Sequence, residues 1–125
     1  MAAGRVPAKE ASVQPQFRLR RSQDFQRVRH SGRSYSHPLL VLVASANDGL
    51  DVRVGVSAGR SVGVAVKRNR AKRVLRVAMQ GLMGSVPPGW DIVLIARPGL
   101  VTADHLEVRH ALIGLLRRAQ LLPSA

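Results

Sequence analysis

Residues 66–82 read VKRNRAKRVLRVAMQGL, and here the hydrophobic period of the chain changes from two to about 3.6. Ala71, Val74, Leu75, Ala78, Met79 and Leu82 fall at i, i+3, i+4, i+7, i+8 and i+11, which is one face of a helix. The other face carries Lys67, Arg68, Asn69, Arg70, Lys72, Arg73 and Arg76, with no acid among them. Arg68, Lys72 and Arg76 are spaced four apart and form a line along the helix. The segment is therefore a long amphipathic helix with an apolar underside and a single-signed basic top.

Strand-like segments flank it. Upstream, Val52-Arg53-Val54-Gly55-Val56-Ser57 alternates with period two, Val inward and small or charged residues outward. The apolar run Leu39-Leu40-Val41-Leu42-Val43-Ala44 precedes it, after Pro38, and Asn47-Asp48-Gly49 between the two is a turn signal. These two runs are expected to pair as an antiparallel hairpin. Residues 33–36 form a short strand before them. Ser22-Gln23-Asp24-Phe25-Gln26-Arg27-Val28-Arg29 predicts a short helix capped by Ser22 and broken by Gly32.

Downstream, Gly84 and Pro87-Pro88-Gly89 end the long helix and turn the chain. Trp90-Asp91-Ile92-Val93-Leu94-Ile95-Ala96 is a continuous apolar run between Gly89 and Pro98, the pattern of a central strand buried on both faces. Thr102 or Asp104 caps a last helix reaching about Gln120, with Leu106, Ala111 or Leu112, Ile113, Leu115 and Leu116 as its apolar positions. Helices interleaved with strands in this order predict an α+β fold, a two-layer sandwich of one sheet with helices packed on it. Residues 1–16 have no period and carry two Pro; they are expected to be a disordered extension before a single domain over 17–122.

The charge balance points to the partner. The 125 residues hold 20 Lys+Arg against 7 Asp+Glu, a formal net charge of +13, and all but three of the basic residues are Arg. Such an excess opposes compaction by self-repulsion, and a polyanionic partner accounts for it. Arg suits phosphate better than Lys, because its planar fork donates in pairs and stacks on bases. On the long helix the like-charged pairs Lys67–Arg70, Arg68–Lys72, Arg70–Arg73, Lys72–Arg76 and Arg73–Arg76 each cost roughly 0.2–0.5 kcal/mol when exposed, about 1–2.5 kcal/mol together. Against a total stability of about 5–15 kcal/mol this is a real penalty, and a phosphate backbone would reverse its sign. A solvated charged face is the alternative, but such faces normally mix signs. Arg18, Arg20, Arg21, Arg27, Arg29 and Arg33 make a second basic cluster around one acid, Asp24.

The chain shows no catalytic apparatus of its own. It has no Cys, which excludes disulfides and thiolate metal sites and fits a cytoplasmic location. His30, His37, His105 and His110 lack the three or four spacing of helical metal ligands, so no protein-held zinc site is expected. The acids are scattered. Asp48 and Asp51 suit a turn, and Asp104 and Glu107 suit the first turn of a helix. There is no phosphate-binding glycine loop and no GxSxG. No apolar run reaches membrane-spanning length or resembles the centre of a signal peptide, so no membrane partner is expected. Three readings remain: a subunit of an RNA-containing enzyme, a structural RNA-binding protein, or a DNA-binding protein that uses the basic helix in the major groove. Against the last, no helix-turn-helix or zipper is apparent.

Lys67-Arg68-Asn69-Arg70-Ala71-Lys72-Arg73-Val74-Leu75-Arg76 resembles the Arg-Asn-Arg signature helix of the bacterial ribonuclease P protein subunit. Three further segments agree in order and spacing. Arg18-Leu19-Arg20-Arg21-Ser22-Gln23-Asp24-Phe25 is similar to the family's opening helix, Val52 to Ser57 to the strand before the signature, and Trp90 to Arg97 to its last strand. The resemblance covers roughly residues 17–120.

The resemblance implies a four-stranded mixed sheet with helices packed on it and a left-handed βαβ crossover, although crossovers are nearly always right-handed. It implies a protein that binds a large catalytic RNA and assists removal of the 5′ leader from precursor tRNA. The catalytic centre would lie in the RNA, which would also hold most of the Mg2+, and no obligate protein partner is implied. Lys67, Arg68, Asn69, Arg70, Lys72, Arg73 and Arg76 would face RNA and bound metal ions. Asn69 has two readings, a polar residue near the helix start or an oxygen ligand to hydrated Mg2+ beside RNA phosphates. Arg18 and Arg21 match basic positions near the leader path. The family lines a cleft with three aromatics. Phe25 retains the first, while Arg29 and Val43 stand at the other two positions. Arg29 can stack by its guanidinium plane and Val43 cannot, so leader contacts here are expected to be weaker or more electrostatic. Tyr35 falls one strand earlier and is not assigned to the cleft.

Overall fold

A computed structural model of the chain describes residues 17–123; the extension expected over residues 1–16 lies outside them. The elements in chain order are α1 (Ser22–Ser31), β1 (Arg33–Ser36), β2 (Leu40–Ala46), β3 (Val52–Ala58), α2 (Ala65–Gln80), β4 (Trp90–Ala96) and α3 (His105–Arg118). This is an α+β fold with one four-stranded mixed sheet in the order β1-β2-β4-β3.

The most continuously apolar run becomes the centre of the sheet. β4 pairs antiparallel with β2, Leu42 opposite Leu94, and parallel with β3, Val56 opposite Leu94. β1 pairs with the outer edge of β2, Arg33 opposite Ala44. The expected hairpin of β2 with β3 therefore does not form, because β4 is inserted between them. The Asn47-Asp48-Gly49 turn is present, with Asn47 Oδ1 accepting the Gly49 N–H at 2.8 Å, but it spans the end of β4 rather than joining paired strands. Asn47 N–H donates to the Gly89 carbonyl, and Gly89 N–H donates to that of Asp51. The turn motif specifies local geometry, whereas pairing goes to whichever strand buries more apolar surface. α2 crosses between the adjacent parallel strands β3 and β4, as the βαβ unit requires.

The sheet has two unequal faces. Leu40, Leu42, Val54, Val56, Ile92 and Leu94 form the main core with Ala71, Leu75 and Met79 of α2 and with Val108, Ala111, Leu112, Leu115 and Leu116 of α3. On the other face Val43 and Val93 pack with Leu19 and Val28, with Phe25, Val41 and Ile95 at the margin, so α1 covers only part of that side. Burying a side chain such as Leu75 is worth about 1.5–3 kcal/mol.

Two local expectations change, and one left open is decided. The N-cap position of α1 is Arg21, with no side-chain capping bond, and Ser22 is already inside the helix. The helix runs on to Ser31, and Gly32 follows because a Cβ there would sit 2.6 Å from both the Ala44 and Val28 carbonyl oxygens. Leu106 is 66% exposed. The inward stripe of α3 is 108, 111, 112, 115 and 116, and a residue two before its start points away from it. Of the two expected caps for α3, Asp104 is used: its Oδ1 accepts the Glu107 N–H at 2.9 Å, and Glu107 Oε1 accepts the Asp104 N–H, a capping box. Among the described residues no helix is long and apolar enough to cross a membrane.

Candidate nucleic-acid interface

Packing of Ala71, Leu75 and Met79 into the core turns the basic side of α2 outward. Lys67, Asn69, Arg70 and Arg73 are exposed, and Arg68, Lys72 and Arg76 are half-buried along its flank. Among the described residues, none of these cations forms an ion pair with an acid; the pairs present involve only Arg27 and Arg53. Among the described residues no acid offsets the repulsion expected from the sequence.

The N-terminal segment brings more positive charge to the same place. Leu19 N–H donates to the Val54 carbonyl at 2.8 Å, and Arg18 bridges Val54 in parallel, so this segment runs along the outer edge of β3. Burial pulls the Arg76 guanidinium pKa below its ordinary value, and the charges of Arg18 and Arg20 push it the same way. Three guanidinium groups from two distant segments therefore share one region. Beyond Arg21 the chain enters α1 on the opposite face of the sheet. The basic surface wraps from α2 around the β3 edge to the exposed Arg21 and Arg29.

The second basic cluster does not stay together. Arg18 and Arg20 join α2, whereas Arg33 lies on β1 at the far edge of the sheet. Arg27, counted with that cluster on sequence, is held by acids: its Nη2 donates to Asp91 Oδ2 at 2.6 Å and lies 3.7 Å from Asp24 Oδ1. The hydrogen bond to Asp91 raises its pKa against the effect of burial.

Asp91 is the residue that pattern reading passed over. It is fully buried in β4, inside what looked like an apolar run. Arg53 Nε and Nη2 donate to its two oxygens at 2.9 Å each, and Asn47 Nδ2 donates to Oδ1 at 2.8 Å. An acid in a central strand must be paired, and that was the available signal. The carboxylate ties α1, β3 and the 47–51 turn to β4, and so sets where α1 lies on the sheet.

That placement puts Phe25 over Gly55 of β3, where a Cβ would lie 2.6 Å from the ring Cζ. Phe25 is half-buried and Arg29, one turn on, is exposed. Val43 is 2% exposed and belongs to the small core beneath α1, so it offers no cleft surface. Asn69 stands among cations, and no group of three His, Cys, Asp or Glu that could hold a metal ion occurs among the described residues.

Comparison with known proteins identifies relatives. The family model described as Ribonuclease P matches residues 13–120. The ribonuclease P protein component of Herpetosiphon aurantiacus is 43% identical over 109 residues, covering 87% of this chain and 89% of that protein. That of Chloroflexus aurantiacus is 38% identical over 109 residues, covering 86% and 81%. Among solved structures, the RNase P protein of Staphylococcus aureus superposes with a TM-score of 0.77 at 27% identity, over 86% of this chain and 98% of that one. The RNase P protein of Thermotoga maritima gives 0.73 at 33% identity, over 81% and 96%.

Proposed function

Since this chain belongs to the ribonuclease P protein family, we propose that its basic surface binds the catalytic RNA of that enzyme and the 5′ leader of precursor tRNA, assisting removal of the leader. The observation that carries this is the face of α2, where six cations stand without an acidic partner among the described residues. Lys67, Arg68, Asn69, Arg70, Lys72, Arg73 and Arg76 grip phosphates of the catalytic RNA. Arg18 and Arg21, with Phe25 and Arg29 across the β3 edge, follow the leader. Phe25 supplies a stacking ring, and the remaining leader contacts are electrostatic, because Arg29 offers only its guanidinium plane and Val43 is buried.

The bond cleavage itself belongs to the RNA subunit. The residues here do not form a Mg2+ site of their own, since Asn69 is the one neutral side-chain oxygen donor on a face of cations and Mg2+ prefers anionic oxygen. Mg2+ is held mainly by RNA, which supplies the charge neutralisation for hydrolysis, and Asn69 contributes one amide oxygen beside the phosphates. By lowering phosphate repulsion the protein reduces the Mg2+ that the RNA needs. The workplace proposed is the cytoplasm.

The test is cleavage of precursor tRNA by a cognate catalytic RNA at low Mg2+, with and without the full chain. Mature 5′ ends should appear only when the chain is added. RNA binding without any stimulation would leave a structural RNA-binding protein instead.

A further inference from the structure

We propose that the hollow beyond the C-terminal end of α3 is a second RNA-contact site, taking an unpaired nucleotide with its base against Trp90 and its phosphate between Arg33 and Arg118. The proposal rests on the reading of this chain as an RNA binder. The hollow has a volume of about 570 Å³ and is lined by Arg33, Tyr35, Ala46, Trp90, Arg118 and Gln120, among others. That size is in the range of small-ligand pockets.

Its origin is in the fold. α3 stops at Arg118, and at the end of the sheet Ala46 is exposed and Trp90 half-exposed. Trp90 lies opposite Ala46 in the register, and the methyl of Ala46 leaves the indole beside it half-uncovered. Tyr35 and Trp90 each pack against the main core and remain half-exposed. The chain has only four aromatic residues, and its single Tyr and single Trp both line this hollow.

The electrostatics favour an anion. Among the described residues no acid lines the hollow. Arg118 is already positioned: its Nη1 donates to the Ser36 carbonyl at 2.8 Å, and its guanidinium lies 5.8 Å from the Tyr35 ring centre. Its other N–H groups are available for a phosphate oxygen. Arg33 is exposed and, among the described residues, pairs with no acid. By contrast, the hollow beside α1 is lined by Asp24, Asp48 and Asp51, and its Arg27 and Arg53 are committed to Asp91. Aromatic rings with unpaired guanidinium groups are the combination that binds single-stranded nucleic acid without sequence preference. β1 is the edge strand opposite β3, so this site faces a different stretch of RNA from the one gripped by α2.

Trp90 is the only tryptophan, so its fluorescence reports on this hollow directly. The full chain should be titrated with a five-nucleotide oligoadenylate RNA, following Trp90 emission and, with labelled RNA, anisotropy. Saturable quenching is expected, and Arg33→Gln, which breaks no side-chain hydrogen bond or ion pair among the described residues, should weaken it about tenfold. Oligoadenylate that binds by anisotropy without quenching Trp90, or with equal affinity in R33Q, overturns the site and leaves the RNA-binding reading intact. Failure of both oligoadenylate and catalytic RNA to bind overturns both.

Discussion

Arg53 holds Asp91 with two parallel hydrogen bonds, Nε to Oδ1 and Nη2 to Oδ2, each 2.9 Å long. The carboxylate is fully buried, while the Arg53 side chain keeps 37% of its surface in water. Removing one partner of a buried pair leaves the other uncompensated. Arg53→Ala should therefore lower stability by about 3 kcal/mol, the lower end for such pairs because Arg27 and Asn47 still donate to Asp91. Arg27→Ala, which removes one hydrogen bond to Asp91 and a longer, more exposed ion pair with Asp24, should cost less. Urea denaturation of both variants checks the order, and equal losses would contradict the dominant role of Arg53.

Acid should unlock the same contact. Burial by itself would raise the Asp91 pKa, but the hydrogen bonds from Arg53, Arg27 and Asn47 outweigh it and hold the carboxyl below its ordinary value. A group with a depressed folded-state pKa stabilises fully above its unfolded value, about pH 4, and loses that contribution as the pH falls through the folded value. The stability gap between wild type and Asp91→Asn should be full at neutral pH and shrink below about pH 4. A gap that stays constant down to the acid transition would show that the charge on Asp91 is not what stabilises the fold.

Replacing Arg68, Arg70 and Arg73 together by Ala should separate binding from folding. Four like-charged pairs disappear, so stability should hold or rise by up to about 1–2 kcal/mol. RNA affinity should fall sharply. For the wild type, neutralisation of four to six phosphates predicts a slope of log K against log salt of about −3 to −4, using the single-strand value, and the triple variant should show a shallower slope. Thermal melts and binding at several salt concentrations measure the two effects, and a variant that unfolds would mean these side chains are structural.

Gly55→Ala should act through Phe25. A Cβ at 55 lies 2.6 Å from the Phe25 Cζ and 3.0 Å from both Cε atoms, so the ring must move off β3. The cost should be about 1–3 kcal/mol, with reduced leader binding. A second change, Phe25→Leu, should restore part of the stability but not the leader affinity. Restoration of both would place the stacking contribution elsewhere.

Much of this was legible one segment at a time. The amphipathic period of α2, the apolar run of β4 and the Asp104–Glu107 pairing before α3 each announce their element, because periodicity and capping depend on neighbours within a turn or two. The same locality explains the errors. The Asn47-Asp48-Gly49 turn looks like a hairpin because nothing near it shows that β4, about forty residues later, takes the place between β2 and β3. Arg27 looks like Arg29, and Asp91 looks like an interruption, until 64 residues of separation close to 2.6 Å.

By itself the sequence determined the types of element, the aliphatic core and the sign of the surface, since hydrophobic period and net charge are written in consecutive residues. Only the tertiary structure decided the strand order, which arginines lack an acid among the described residues and how the segment at Arg18 comes to lie along the edge of β3. Charge in a folded chain is settled by the nearest opposite group in space, and for Arg53 and Asp91 that group lies 38 residues away along the chain.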